Sequence, residues 1–245
     1  VNVTNSVSLS TGTEKNQTYL SLGTVNANGI IHNNNYDRYN ASVRNTSKLL
    51  NDKMTLDLSF MVSKVKEQNM LSQGQYFNPL IPLYLFPAGD DFSKVQAWKR
   101  EDASRNLQVQ YWPYGAQSMS MQNPYWITER NLFINHKDRY MGSASLKYEL
   151  FDWLNVSGRV KIDRNTARKE QKFYASTIDI FGGKNGFYSL GQQENQQIYG
   201  EFIANINKYF GDNRFSLTAN LGANFETVSD DYNKYEGKLK AVANL

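Results

Sequence analysis

The 245-residue chain reads as an all-β protein, about eight antiparallel strands of a transmembrane β-barrel. Three observations predict this class. Apolar and polar residues alternate with a period of two in stretch after stretch, which places two opposed chemistries on the two faces of a strand. The clean runs are about ten residues long, the length at which a tilted strand crosses a bilayer. Short turns take turns with connections that are mostly long, the pattern of periplasmic turns and extracellular loops.

Composition agrees with this class. The chain is 40% hydrophobic with a mean hydropathy of −0.62, and it holds no apolar run long enough for a membrane-spanning helix. A barrel needs apolar residues only at alternate positions, so a polar average does not exclude it. The net charge of +4 is small and its basic residues are scattered, which gives no nucleic-acid surface. Cysteine is absent, so disulfides and thiolate metal sites are excluded.

In order, Val1, Val3, Val7 and Leu9 oppose Asn2, Thr4, Ser6, Ser8 and Ser10, and residues 11–16 turn the chain. Residues 18–24 form a second strand, turned at 26–29. A third alternates at Tyr39, Ala41 and Val43 and is turned at 50–53. Met54, Leu56, Leu58, Phe60 and Val62 mark the fourth. Alternation then stops over 66–131, a long loop rich in aromatics that also holds the chain's prolines. Insertions of this length are functional or disordered, and the aromatics argue against disorder.

Tyr140, Gly142, Ala144, Leu146 and Tyr148 resume the pattern, and Phe151-Asp152-Trp153 turns into the most regular strand of the chain. There Leu154, Val156, Val160 and Ile162 oppose Asn155, Ser157, Arg159, Lys161 and Asp163. A polar extension and loop are expected over 164–197, with the polar runs 64–69 and 164–172 read as strand extensions standing above the membrane. Two strands follow, carried by Ile198, Phe202 and Ile206, then by Phe215, Leu217, Leu221 and Phe225. A soluble antiparallel sandwich alternates in the same way. Its loops need not sort by length onto one end, however, and its strands are usually shorter, so the barrel is preferred.

The turn at 11–16 is expected on the periplasmic side, which makes the first strand descend. The chain opens on Val1-Asn2-Val3-Thr4 with neither a charged nor an apolar leader, so it is expected to follow a removed signal peptide or to be an internal piece. An open wall would leave two unpaired edges in lipid. The expectation is a segment of a larger barrel that lacks an earlier strand and stops in the loop after a strand ending near Glu226.

No catalytic constellation emerges. His32 and His136 lie far apart in the chain, Gly182-Gly183-Lys184-Asn185-Gly186 lacks P-loop spacing, and Asp90-Asp91 is no metal loop. No enzyme activity, cofactor or metal is expected. Asp57, Glu149, Arg159, Lys161, Asp163, Glu201 and Glu226 fall on the polar face and are expected to face the lumen, most of them pairing across strands. The candidate contact surface for substrate or lid is Tyr111, Trp112, Tyr114, Asn123, Tyr125 and Trp126, because aromatic faces stack on sugars or bury in a partner. The competing reading is a loop folded on its own aromatics. Phe151, Trp153, Tyr209 and Phe210, at short turns, read as an interfacial aromatic girdle.

Several stretches resemble the SusC/RagA family of TonB-dependent outer-membrane transporters of Bacteroidota. They are residues 2–15, Tyr19 to Thr24 with Asn28-Gly29-Ile30, Tyr36-Asp37-Arg38-Tyr39-Asn40, Asn123-Pro124-Tyr125-Trp126, and Leu146 to Leu154 followed by Asp163. Each is short, and their order and spacing make the combination more specific. The resemblance implies about strands 2 to 9 of a 22-stranded barrel of the outer membrane, without plug, TonB box or later strands. It implies a SusD-like surface lipoprotein, the TonB complex acting through the absent plug, surrounding lipid, and uptake of oligosaccharides or peptides. The alternative is an adhesin or carbohydrate-binding β protein with no transport role.

Overall fold

The computed structural model describes residues 1–70, 74–114, 121–212 and 214–244. Its elements in chain order are β1 (Asn2–Gly12), β2 (Asn16–Asn28), β3 (Asn35–Leu49), β4 (Met54–Gln68), α1 (Leu80–Tyr84), α2 (Ser93–Gln96), β5 (Lys99–Asp102), β6 (Leu107–Gln110), α3 (Pro124–Arg130), β7 (Asn131–Phe151), β8 (Leu154–Tyr174), β9 (Gly186–Phe210) and β10 (Phe215–Lys238). Eight strands form one antiparallel sheet in the order β1-β2-β3-β4-β7-β8-β9-β10, and β5 and β6 form a separate hairpin. The wall is therefore a meander, broken once by the insertion between β4 and β7.

Turn chemistry sets its lower end. Gly12 has φ +150°, and a Cβ there would meet the Asn16 carbonyl oxygen at 2.1 Å, so only glycine fits. The Thr13 hydroxyl accepts from the amides of Lys15 and Asn16 and closes the β1–β2 turn. Between β3 and β4, Leu50, Asn51 and Asp52 are all left-handed, a conformation that Asn and Asp tolerate and Leu disfavours.

The register aligns the two chemistries into rows. Leu9, Leu20, Val43, Phe60, Gly142, Ile162 and Ile198 stand opposite one another across seven strands. One residue along lies the row Ser10, Tyr19, Arg44, Ser59, Ser143, Lys161, Tyr199 and Glu226. A slip of one residue in any pair would break both rows at once, which is what pins the register.

The apolar face is bare: Val7 is 69% exposed, Leu22 61% and Phe225 58%. A soluble sandwich would bury such a face against a second sheet. The buried apolar side chains instead lie at the loop end, at Val95, Trp112, Trp126, Ile127, Phe173, Ala175 and Ile178.

Pairing runs further than alternation does. The insertion spans 69–130, because β4 reaches Gln68 and β7 starts at Asn131. The polar extension expected over 164–172 is strand, β8 continuing to Tyr174, but the loop expected to follow it is shorter: β9 begins at Gly186, and only 175–185 connect the two strands. β10 likewise passes Glu226 and reaches Lys238. Backbone hydrogen bonds need no apolar side chains, so strands persist where both faces have turned polar and the period-two signal has faded.

Candidate functional site: the loop-end cap and the polar face

The insertion forms a small folded cap. Asn123 starts α3, its side-chain oxygen accepting from the Tyr125 amide at 2.9 Å, with Pro124 supplying a preset first turn. The Asn123 amide group donates to the carbonyls of Val95 (2.7 Å) and Tyr111 (3.1 Å), which ties α2 and the end of the β5–β6 hairpin to α3. Trp126, fully buried, donates to the Thr177 hydroxyl at 3.1 Å, and that hydroxyl donates to Asn131 at 2.7 Å. Phe77 packs on Phe133 and Phe173, with ring centroids 5.4 and 4.7 Å away.

Neighbouring loops are knitted in. From the β2–β3 connection, Asn33 donates to the Thr128 carbonyl and Asn34 to that of Asn69, both at 2.8 Å, and His32 meets Glu129 at 2.5 Å. The end of β10 joins through Lys238, which donates to the Asp179 carbonyl, and the segment after it through the Lys240 carbonyl, which accepts from Asn185. At the rim, Asp90 binds Lys94 at 2.6 Å and accepts the Tyr114 hydroxyl. Lys94 first, then Tyr114, holds the Asp90 carboxyl well below the usual carboxylate range, at about 2.

The six sequence-derived contact residues divide. Trp112, Asn123 and Trp126 are buried and serve as the cap's internal packing and bracing. Tyr111, Tyr114 and Tyr125 are half-buried, and the Arg100 guanidinium lies 3.3 Å over the Tyr111 ring. The most open aromatic of the cap is Tyr84, 84% exposed at the end of α1 and followed by exposed Leu85; Phe92, packed edge-on against Phe86, is exposed too. Sequence reasoning passed over them, because the short α1 carries no periodicity that separates an outward ring from an inward one.

Asp57, Glu149, Arg159, Lys161, Asp163, Glu201 and Glu226 share the polar face by register. Arg44 grips Asp57 at 2.8 Å, with the Thr46 hydroxyl donating to the same carboxylate at 2.7 Å. Arg159 meets Glu201 at 2.6 Å, and the Tyr199 hydroxyl donates to Glu201 at 2.5 Å. Arg139 clamps Asp163 through two nitrogens, Gln197 donates to Glu226, and Lys147 lies 3.6 Å from Glu149. Lys161 makes no ion pair among the described residues. It lines a trough of about 960 Å³ together with Tyr19, Arg44, Ser59, Ser143 and Tyr199.

A wall with one bare apolar face, one polar face of cross-strand ion pairs, and its long connections gathered at one end is part of a β-barrel. Solved structures of that architecture match it. The RagAB peptide importer in its 'closed-closed' state superposes with a TM-score of 0.63 at 16% identity, over 97% of this chain and 26% of that chain. The RagAB peptide transporter matches at 0.63 and 15%, over 96% and 26%, and the importer's 'open-open' state at 0.63 and 15%, over 97% and 25%. The chain thus spans about a quarter of the length of the chains it matches. These neighbours are transporters, not enzymes. No protein-family profile and no curated protein sequence matches the chain.

Proposed function

We propose that the chain is a wall segment of an outer-membrane importer of the SusC/RagA type. The observation that carries this reading is the inverted sheet: its apolar face is bare along the crossing length while its charges pair on the opposite face. Lipid is the surroundings in which that arrangement is stable, since a bilayer solvates the apolar rows and the ladder satisfies the backbone between the two edge strands, β1 and β10, which the remaining strands of a larger barrel would pair. The polar face, with Asp57, Glu149, Arg159, Lys161, Asp163, Glu201 and Glu226, then faces the lumen, and the 69–130 cap stands on the extracellular side.

Energy would come from the TonB complex through a plug that these residues do not include. A SusD-like lipoprotein would sit over the cap, with Tyr84, Phe92, Tyr111, Tyr114 and Tyr125 as the accessible aromatic contacts. Peptides rank above oligosaccharides as cargo, because fixed charges of both signs line the polar face and the structural neighbours are described as peptide importers.

Two measurements test the reading. The protein should fractionate with outer membranes and need detergent for extraction; recovery as a water-soluble monomer overturns it. Removing 81–114 from the cap should abolish uptake of labelled peptides by intact cells while the protein remains in the membrane. Unchanged uptake would show that the cap has no part in import.

A further inference from the structure

Above the apolar rows the outward face changes character within two residue steps. The row Leu22, Ala41, Val62 and Tyr140 ends at Arg164. The next row carries Lys64 on β4, and the one beyond it sets Lys66, His136 and Arg168 directly opposite one another on β4, β7 and β8. All of these basic side chains are exposed. Arg164 is held by Glu194 at 2.7 Å, and Arg168 reaches Glu170 only at 4.0 Å. Lys64, Lys66 and His136 make no ion pair among the described residues, and Asp138 is the one carboxylate that the two rows place on these three strands.

Lys64 and Lys66 stand opposite Asp138 and Asp37 without forming an ion pair with either, and Arg168 only grazes Glu170, so these cations are left open to a counter-charge from outside the sheet. The position selects that counter-charge. The row lies one strand step above the apolar belt, where headgroups stand, so an anion at this height is covalently attached to chains that lie along Val62, Phe60 and Ile162. We propose that Lys64, Lys66, His136 and Arg168 form a binding site for the phosphorylated headgroup of an outer-leaflet glycolipid. The cations take the phosphates and the apolar rows below take the acyl chains. Four acidic positions share these rows: Asp37 on β3 opposite Lys66, its carboxylate accepting from the Asn26 side chain at 2.7 Å, Asp138 on β7 opposite Lys64, and Glu194 and Asp231 on β9 and β10, so the site is confined to the sector between β3 and β9.

This inference rests on the outer-membrane placement proposed above, and its test separates the two. The barrel containing this chain is reconstituted into phosphatidylcholine vesicles doped with bisphosphorylated lipid A or with its dephosphorylated form, and co-retained lipid is counted by native mass spectrometry. The wild type should prefer the phosphorylated lipid. The triple variant Lys64→Gln, Lys66→Gln, Arg168→Gln should lose about a hundredfold of that preference, at about 1 kcal/mol per basic side chain. Lys161→Gln on the opposite face should keep it. Equal retention of both lipids by the wild type, or an unchanged preference in the triple variant, overturns the site while leaving the placement standing. Complete displacement by millimolar inorganic phosphate also overturns it, marking a free-anion site. A protein that enters no vesicle of either composition overturns the placement itself, and the site with it.

Discussion

The wall and the cap solve the same problem in opposite ways. The cap has a buried apolar centre, Trp126 and Val95 completely so, and braces it with Asn123, Gln122 and Thr177. The wall leaves Val7, Leu22, Phe60 and Phe225 open and turns its charges toward one another. A hydrophobic core stabilises the first in water, whereas the second depends on ladder hydrogen bonds and on a surrounding that accepts apolar surface. The lesson is that burial alone does not identify the structural residues of this chain. The exposed Val160 matters as much as the buried Trp126, for a different reason.

Breaking the cap should give the largest effect. Trp126→Ala removes its central ring and the donor to Thr177, at a cost of about 3–5 kcal/mol. Hydrogen exchange should show 124–130 and 175–185 losing protection while the Phe60–Gly142 pairing on the wall keeps it. Parallel loss in both places would mean that the two regions form one cooperative unit.

Charging the bare face comes next. Val160→Arg should destabilise folding into vesicles by about 2–4 kcal/mol, if its row lies near mid-membrane, as urea titration would measure. A negligible change would place that row in water. Within the polar face, Glu201→Ala strips Arg159 and Tyr199 of their shared acceptor. Because this pair is partly open to solvent, the loss should be about 1 kcal/mol.

The smallest effect belongs to Asp90 at the cap rim. Its folded pKa lies below the ordinary 3.8, so its contribution is fully present above about pH 4 and is lost as pH falls through about 2. The fluorescence of Trp112, whose ring lies 5.3 Å from that of Tyr114, should change across that window, and Asp90→Asn should flatten the change. Asp91, held down chiefly by Ser93, titrates in both proteins, so the difference between them isolates Asp90. Identical titrations would show that the Tyr114 contact does not report on Asp90.

Legibility followed the same division. Every wall strand was visible as an alternation, and the turns at Gly12 and at Asn51-Asp52 were marked by residues that tolerate left-handed backbone. Strand ends were not visible, because above the apolar belt both faces are polar and pairing leaves no side-chain signature. Residues 227–238 and the start of β9 at 186–197 are the cases in point, whereas the polar runs 64–69 and 164–172 were legible as strand extensions. Within the cap, the aromatics at 111–114 and 123–126 stood out by type, yet type could not separate the inward Trp112 and Trp126 from the outward Tyr84.

The sequence by itself determined the number of wall strands, their order, their faces and the polar face that carries Asp57 to Glu226, though not the β5–β6 hairpin, because a two-residue period is a local property of the chain. Only the tertiary structure decided how far the ladders run and how four connections lock into one cap. It alone set Lys66, His136 and Arg168 side by side. Cross-strand register joins residues distant in sequence, and the contacts that fix it are absent from any single segment.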